Sequence, residues 1–276
     1  MSLRTREFKM QLKILSTKGE SGSAKLPVQF EEPVRKDLIA RAVQSLQSNR
    51  RQPYGADYMA GKRGSVKLSR RRRKYKGAYG KGISRVPRKT LSRNGTQMHW
   101  VGAEAPGMVG GRRAHPPKVE KDWSLKINNK ERRKAIRSAM SATVQKELVQ
   151  LRGHKIPQNY PFVIDSSIEK LNKTNEVQET LEKLGFAEEL QRTSNPKIRA
   201  GKGKNRGRPY EKKRGLLLVV GGVCELLKSA KNIEGVDVVE VKKVNVELLA
   251  PGTNAGRATL FTQNAITQLE KEKLFM

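Results

Sequence analysis

The sequence predicts an α/β protein: a single domain with a mostly parallel sheet covered by helices, plus a long extended basic internal loop. Short apolar runs alternate with helical patterns through the second half of the chain, which is typical of a parallel sheet with helices on both faces. A length of 276 residues is enough for one sizeable domain. We therefore treat 1–276 as one domain, with the loop at about 49–121 and a second basic insertion at about 195–215.

The loop at 49–121 has no apolar period at spacing 2 or 3.6, so it presents no face to bury. It holds twenty lysines and arginines against Asp57, Glu104 and Glu120. A segment of this composition cannot pack on itself, and we expect it to stay extended until a polyanion neutralises it.

The alternative for this loop is a disordered, solvated linker. Against that alternative, rings are interleaved with the cations, at Tyr54, Tyr58, Tyr75, Tyr79, His99 and Trp100. Irregular RNA is bound in this way, by cations on its phosphates and by rings on its unstacked bases. The loop therefore predicts RNA binding.

The first elements are a strand and two helices. Residues 10–16 alternate polar and apolar and end at a turn at 18–19, which predicts a strand. Pro33 predicts the start of a helix. After the loop, the asparagines at 128–129 are N-cap candidates for a second long helix. Its apolar stripe is Ile136, Met140, Val144 and Leu148.

The second half alternates strands and helices. Residues 161–165 predict a buried strand, and Thr174 or Asn175 caps a helix that stops at Gly185. Four further runs predict strand material: 216–220, 236–241, 244–251 and 258–261. Thr262 caps the last helix.

Charge and cysteine content limit the class of protein. A formal net charge of +32 and a pI near 10.5 indicate an anionic partner, either nucleic acid or a membrane surface. No apolar run approaches 18 residues and no secretory signal is apparent, so we expect no membrane partner. Cys224 is the single cysteine, which excludes an internal disulfide and fits a reducing cytosol.

The candidate sites for chemistry are weak. Residues 219–222 read VVGG where a strand meets a helix, but the third glycine of a dinucleotide loop is missing, so we predict a tight left-handed turn. Asp165 ends a strand without an acid/base partner and is interpreted as a cap, and Cys224 as a core side chain. The three histidines are too scattered to form a zinc site. We predict no enzyme activity, no cofactor and no metal.

Residues 110–117, GGRRAHPP, are more informative. The two glycines permit unusual backbone angles and close approach to another backbone, and Arg112 and Arg113 offer bidentate forks to phosphate. His115 is expected to stack on or hydrogen-bond to RNA. The full set of predicted RNA-binding residues is Arg50, Arg51, Tyr54, Lys62, Arg63, Arg70, Arg71, Arg72, Arg73, Lys74, Tyr75, Tyr79, Arg85, Arg88, Trp100, Arg112, Arg113, His115, Lys118, Lys130, Arg132, Arg133, Arg137, Lys202, Lys204, Arg206 and Arg208.

Several segments, in order and over nearly the whole chain, carry a family resemblance. They are NRRQPYGAD (49–57), AG (60–61), VPR (86–88), VGGRRAHPP (109–117), KINNKERRKAIRSA (126–139), LRGH (151–154) and FTQNAI (261–266). Together they closely resemble the ribosomal protein L-four family in its archaeal form. The archaeal form is suggested by the insertion at 195–215 and by the lack of a long C-terminal extension. The loop centre, 67–82, differs from the family pattern, which leaves the tunnel-facing residues undefined.

The resemblance implies a non-enzymatic, structural constituent of the large ribosomal subunit in the cytoplasm. It implies that the domain sits on large-subunit ribosomal RNA and that the loop lines the nascent-peptide exit tunnel near ribosomal protein L-twenty-two, in contact with the nascent polypeptide. Two other classes stay open: an RNA-modifying enzyme that recruits its substrate through the basic loop, and a regulator that binds messenger RNA.

Overall fold

The computed structural model of the protein describes residues 11–16, 19–66, 68–75 and 77–276. Met10 of the predicted first strand and Lys18 of the predicted turn lie outside these residues. The chain divides into two compact units, one formed by residues up to 49 together with 124–276, and the other by 50–123. Each unit is described by itself.

The described residues contain ten strands and eight α-helices. In chain order they are β1 (Gln11–Ser16), β2 (Gly19–Lys25), α1 (Lys36–Asn49), β3 (Arg88–Asn94), β4 (Gln97–Gly102), α2 (Asn129–Val144), α3 (Lys146–Leu151), β5 (Val163–Ile164), α4 (Thr174–Leu181), α5 (Ala187–Ser194), β6 (Lys197–Ile198), β7 (Tyr210–Glu211), β8 (Leu217–Val220), α6 (Leu226–Ser229), β9 (Asp237–Glu240), α7 (Val246–Leu249), β10 (Thr259–Phe261) and α8 (Gln263–Lys271). The predicted α/β class is confirmed.

The larger unit contains two three-stranded sheets. One has the order β2-β1-β5, with β1 antiparallel to β2 and parallel to β5. The other has the order β10-β8-β9, and both of its pairings are parallel. Among the described residues, an isolated bridge between Ile164 and Thr262 links the two. One continuous, mostly parallel sheet therefore stays a prediction.

Side-chain alternation along β8 divides the core into two layers. Leu217 and Val219 belong to one buried cluster, whereas Leu216, Leu218 and Val220 belong to the other. Successive side chains of a strand point to opposite faces, so a continuously apolar strand is covered on both sides. Helices α1, α2, α7 and α8 contribute to the first layer, and α3, α4, α5 and α6 to the second. Among the described residues, neither cluster includes any from 50–123.

The starts of α1 and α2 differ in part from the sequence predictions, and contacts between distant residues affect the first of them. Pro33 does not open α1, which begins at Lys36. The Ser138 hydroxyl accepts a hydrogen bond from the Arg35 N–H at 2.7 Å and donates to the Pro33 carbonyl at 3.0 Å, which engages the backbone just before the helix. The second helix starts at Asn129 as predicted, but the Asn128 side chain makes no capping hydrogen bond.

Of the two predicted limits of α4, the N-cap is wrong and the stop at Gly185 is confirmed. Lys173, rather than Thr174 or Asn175, occupies the N-cap position. Gly185 ends the helical conformation as predicted: it lies in the left-handed region, at φ +90°, and forms a kink after which α5, which the sequence did not predict, begins. A Cβ on Gly185 would lie 2.9 Å from Cβ of Pro157, so glycine also permits this close approach.

Residues 244–251 were predicted to be strand material, and this prediction is wrong. The Asn245 side chain accepts a hydrogen bond from the Leu248 N–H at 2.9 Å and so caps the short helix α7. The predicted cap at Thr262 is confirmed, since its hydroxyl oxygen accepts from the Ala265 N–H and opens α8.

The unit 50–123 also corrects the sequence interpretation. It does fold on itself, through the antiparallel hairpin of β3 and β4 and a series of turns. Its buried apolar residues, among those described, are Ala78 and Ala103. The segment is therefore ordered by backbone hydrogen bonds and close backbone contacts rather than by an apolar core.

Candidate nucleic-acid interface

Most of the predicted RNA-binding side chains are exposed. The exceptions are Arg88, which is buried, and Trp100 and Arg137, which are half-buried. Exposed cations keep their donors available to phosphate, so the exposed set meets the first requirement of a nucleic-acid interface. The exposed residues lie on both compact units.

Two rings and two cations form a stack within the unit 50–123. The rings of Tyr54 and Trp123 are stacked, with centres 5.3 Å apart and planes inclined by 22°. The guanidinium carbon of Arg51 lies 4.0 Å from the centre of the Trp123 ring, and Nζ of Lys121 lies 4.2 Å from it. Cation–π attraction and ring stacking hold these groups together at the two ends of the basic segment. We call these four residues the aromatic–cation cluster.

Sequence reasoning missed half of this cluster. Trp123 and Lys121 were not among the predicted RNA-binding residues, although Arg51 and Tyr54 were. The available signal was a tryptophan at the far boundary of a basic segment that also has a tyrosine at its start. Only the tertiary structure shows that the two rings, 69 positions apart in sequence, are stacked.

A cavity of about 640 Å³ lies beside the aromatic–cation cluster. It is lined by Tyr54 and Trp123, by the cations Arg113, Lys118 and Lys121, and by the 114–117 segment that contains His115. Rings together with cations on one concave surface suit a base and its phosphate. The structure thus brings together four predicted residues that the sequence could not place: Tyr54, Arg113, His115 and Lys118.

The predicted close backbone approach is made by Gly111 of the GGRR segment and by Gly61, which lies against Arg112. A Cβ on Gly61, which has φ +75°, would lie 2.5 Å from the backbone nitrogen of Arg112. The Arg112 N–H donates to the Glu104 carbonyl at 3.2 Å, and a Cβ on Gly111 would collide with the Ala105 carbonyl oxygen. The backbone of 111–112 is therefore held between two neighbouring stretches, while the Arg112 side chain stays exposed.

Further cation–ring pairs lie along the segment. Nζ of Lys81 and the guanidinium carbon of Arg88 are each 5.4 Å from the Trp100 ring centre. Arg85 donates to the Tyr79 hydroxyl at 3.1 Å. Arg88 also donates to the Ser84 hydroxyl at 3.0 Å. Arg88 is thus engaged within its own unit, and RNA binding by this arginine stays a prediction.

On α2, the cations differ in what they contact. Arg137 donates to a carboxylate oxygen of Glu32 at 2.9 and 3.0 Å and to the Phe275 carbonyl at 2.7 Å. Arg133 donates to the Met276 carbonyl at 2.6 Å. Lys130 and Arg132 are exposed. RNA binding by Arg137 stays a prediction, but its donors already serve the protein.

Comparison with known proteins shows the family of the chain. A model of the ribosomal protein L4/L1 family matches residues 24–272. The chain belongs to this family. One relative, the large ribosomal subunit protein uL4 of Nanoarchaeum equitans, is 49% identical over 255 residues, which cover 92% of this chain and 95% of the relative. The uL4 proteins of Methanococcoides burtonii and Methanocaldococcus jannaschii are 46% and 45% identical over 93% and 89% of this chain, and over 96% and 92% of their own lengths.

Membership of the L4/L1 family confirms the structural, non-enzymatic class that the sequence predicts. The geometry around Asp165 agrees: its carboxylate accepts from the Ser166 N–H at 2.8 Å and from the Ser167 hydroxyl at 2.7 Å, as the predicted cap. These hydrogen bonds, led by the one from Ser167, lower the pKa of Asp165. Cys224 is partly buried against the second cluster, and burial raises the pKa of its thiol.

The predicted left-handed turn at 219–222 is wrong, because neither Gly221 nor Gly222 has a positive φ. Gly221 instead allows close approach, since a Cβ there would lie 2.9 Å from Cβ of Asn264. Its N–H donates to Glu169 at 3.2 Å, and the same carboxylate accepts from Thr262 at 2.6 Å and from Asn264 at 2.8 Å. The polar groups at these strand ends therefore bind one another.

Two kinds of site can be assessed over the part of the chain that the structure describes, a metal centre and a membrane-spanning helix. Within it, no group of three or more His, Cys, Asp or Glu side chains is arranged to hold a metal ion. None of the helices described there has the length and apolar content needed to cross a membrane.

Proposed function

We propose that this protein is a structural constituent of the large ribosomal subunit that binds ribosomal RNA through 50–123, supports subunit assembly and lines part of the nascent-peptide exit tunnel. Its partners are large-subunit ribosomal RNA, neighbouring ribosomal proteins including L-twenty-two, and the nascent polypeptide in transit. Its relatives carry the name of a large-subunit protein, which supports the place of action in the cytoplasmic ribosome.

The observation that carries RNA binding is the aromatic–cation cluster and its cavity. A ring stack flanked by Arg51 and Lys121 offers one ligand both a π-face and positive charge. Unstacked bases and their phosphates are bound by rings and cations together, and this cluster supplies both groups. The cluster is built before the ligand arrives, which reduces the ordering cost on binding.

Arg112 and Arg113 supply the second element of the proposal. The close contacts of Gly61 and Gly111 hold their backbone while leaving both side chains exposed. A guanidinium presented from a constrained backbone can contact two phosphate oxygens at once, which a lysine cannot do. We therefore assign these arginines to phosphate.

The tunnel-wall role rests on family membership and on the composition of 50–123. This segment contributes no residue to either apolar cluster among the described residues, so its side chains are available to other molecules. A mainly cationic segment with exposed rings suits a wall that packs on RNA on one side and faces a passing peptide on the other.

The experiment is a salt titration of binding to large-subunit ribosomal RNA. We expect the logarithm of affinity to fall with the logarithm of salt concentration with a slope of about −0.7 to −0.9 per phosphate contact, for on the order of ten contacts. Arg112→Lys and Arg113→Lys should weaken binding, and the alanine variants should weaken it more. Arg35→Lys, at an exposed arginine outside the interface, is the matched control. A nearly flat salt slope would overturn RNA binding.

Subunit association is tested separately by sedimentation. The wild-type protein should stay with large subunits after a high-salt wash, and a ribosome that carries a 64–108 deletion should change its sensitivity to tunnel-binding antibiotics or stalling nascent chains. A deletion ribosome with unchanged sensitivity would contradict the tunnel-wall role while leaving RNA binding intact.

A further inference from the structure

We propose that the second basic insertion is an RNA-binding hairpin on which Tyr210 stacks on an unpaired base while neighbouring cations contact the phosphates. Tyr210 was not among the residues predicted from the sequence. The inference rests on the proposed function, since it names one more site for the same class of ligand. Its structural basis is the arrangement of 197–211.

The insertion has a defined backbone. Strands β6 and β7 pair antiparallel, with Ile198 opposite Tyr210, and the Arg199 N–H donates to the Pro209 carbonyl at 2.8 Å. Between the strands, residues 201–206 form a 3-10 helix that ends at Gly207 with φ +75°. The Arg208 N–H then donates to the Gly203 carbonyl at 3.1 Å. The segment is therefore a closed hairpin rather than a linker.

The Arg199 side chain stabilises this hairpin by hydrogen bonds to the backbone of its other arm. Its guanidinium donates to the carbonyls of Arg208 at 3.2 Å and Tyr210 at 3.4 Å. Its side chain passes so close to Gly203 that a Cβ there would lie 2.7 Å from Cδ. Arg199 is half-buried and its donors face its own backbone, so it is a positioning residue rather than a phosphate ligand.

The cross-strand pair of Ile198 and Tyr210 is left outside the core. Their exposed fractions are 64% and 58%, and neither belongs to the two apolar clusters. Directly opposite side chains on an antiparallel pair are close enough to contact, so Ile198 can brace the tyrosine ring. A large exposed ring with a fixed neighbour is a preorganised stacking surface.

The charge around this ring selects an RNA ligand. Lys202, Lys204, Arg206 and Arg208 are all exposed within nine residues of it. Cations with an interleaved ring bind single strands, with the cations on the backbone and the ring on a base. Bases inside an A-form helix are already stacked, so the ring needs an unpaired base in a loop, bulge or single strand.

The test uses the full-length protein and a short single-stranded oligouridylate, with a duplex RNA of the same length for comparison. Tyr210→Ala should weaken binding to the single strand by about tenfold, the expected loss for one base–aromatic stack. Tyr210→Phe should keep wild-type affinity, and Tyr210→Leu should behave like alanine because it is apolar but cannot stack. Binding to the duplex should be the same for all four proteins.

The salt dependence of RNA affinity distinguishes the contribution of the Tyr210 ring from that of the cations. Tyr210→Ala should leave the slope of log affinity against log salt unchanged, whereas Lys204→Ala or Arg206→Ala should each reduce its magnitude by about 0.7. A hairpin that merely unfolded in Tyr210→Ala would change the slope as well, and it would remove the hydrogen-exchange protection of the Arg199 N–H.

The possible outcomes are distinct. Suppose that wild type binds the single strand and that the alanine and leucine variants bind it equally well. Tyr210 then does not stack on RNA and is free for a protein partner. This result overturns the present inference but not the proposed function. Loss of affinity together with a changed slope also overturns it. If the wild-type protein binds neither the single strand nor the duplex, the proposed RNA-binding function itself is contradicted, and the inference about Tyr210 is contradicted with it.

Discussion

Oε1 of Glu189 and Nδ1 of His154 lie 2.7 Å apart, and their side chains are only 1% and 2% exposed. The same carboxylate accepts from Arg192 at 2.7 and 2.8 Å and from the Lys155 N–H at 2.9 Å. Burial lowers the pKa of His154, against the opposing effect of Glu189. The neutral ring therefore carries its proton on Nδ1 and donates it to Glu189. Burial alone would raise the pKa of Glu189, but hydrogen bonds from Arg192, His154 and the Lys155 N–H lower it to about 2.

Glu189→Gln is expected to destabilise the protein by about 3 to 5 kcal/mol, because it removes one member of a buried ionic group and leaves its donors without an anion. Glu188→Gln is the matched control, since Glu188 lies next to it on α5 and is exposed. The control should change the free energy of unfolding by less than about 0.5 kcal/mol. Chemical denaturation measures both. Equal effects of the two substitutions would contradict a special role for Glu189.

Stability should fall with acid in two stages. The folded-state pKa of Glu189, about 2, lies below the ordinary value of 4.5, so its stabilisation is complete above pH 4.5 and is lost as the pH falls from there towards 2. His154 resists protonation when folded, so its penalty begins below the ordinary value of 6.5. Denaturation at several pH values should show both stages. In Glu189→Gln the lower stage should shrink, and an unchanged acid profile would contradict this assignment.

Replacing Arg257 by lysine is expected to destabilise the protein strongly. Its guanidinium is 1% exposed and donates to the carbonyls of Gly215 at 2.8 Å, Leu248 at 3.0 Å and Leu216 at 3.2 Å, and to Asp237 at 2.6 Å. Arg257→Lys keeps the charge but loses the planar fork, at a cost of about 3 kcal/mol.

Arg214 provides the control for Arg257, because it pairs with the same Asp237 at 3.2 Å but its side chain is 64% exposed. Arg214→Lys should cost at most about 1 kcal/mol. Thermal and urea unfolding distinguish the two substitutions, and a mild effect at Arg257 would contradict the importance of its four acceptors.

Gly61→Ala should open the contact with the GGRR segment. Its new methyl group would lie 2.5 Å from the Arg112 nitrogen, so the two backbones must separate and the Arg112 N–H should lose protection from hydrogen exchange. Gly80→Ala is matched in backbone angle, at φ +76°, but has nothing within 4 Å. It carries only the left-handed penalty of about 1 to 2 kcal/mol and should leave Arg112 protected. Equal protection in both variants would contradict the contact.

Replacing 64–108 by a short Gly/Ser linker should leave the thermal midpoint of the free protein nearly unchanged. Both apolar clusters are built outside 50–123 among the described residues, and loop-closure entropy depends only weakly on length. The hairpin β3–β4 would be lost, but none of its described residues belongs to either apolar cluster. A melting curve of both proteins measures this, and a large fall in the midpoint would show that the segment stabilises the core.

The sequence by itself determined the parts that depend on local patterns. The apolar runs at 216–220 and 258–261 specified buried strands because such runs bury both faces, and Thr262 and Asp165 were recognisable caps because their side chains bond to backbone a few residues away. The rings and cations of 50–123 predict RNA binding from composition alone, and this stays a prediction. Each of these inferences depends only on residues that are close together in the sequence.

Only the tertiary structure decided the remainder, because the deciding contacts join distant residues. Ser138 engages the backbone on which Pro33 was expected to start a helix, Pro157 faces the kink at Gly185, and Asn264 faces Gly221. Tyr54 meets Trp123, and His154 meets Glu189, across 69 and 35 positions. No periodicity encodes such a pair, since its energy exists only once the two segments have been brought together by folding.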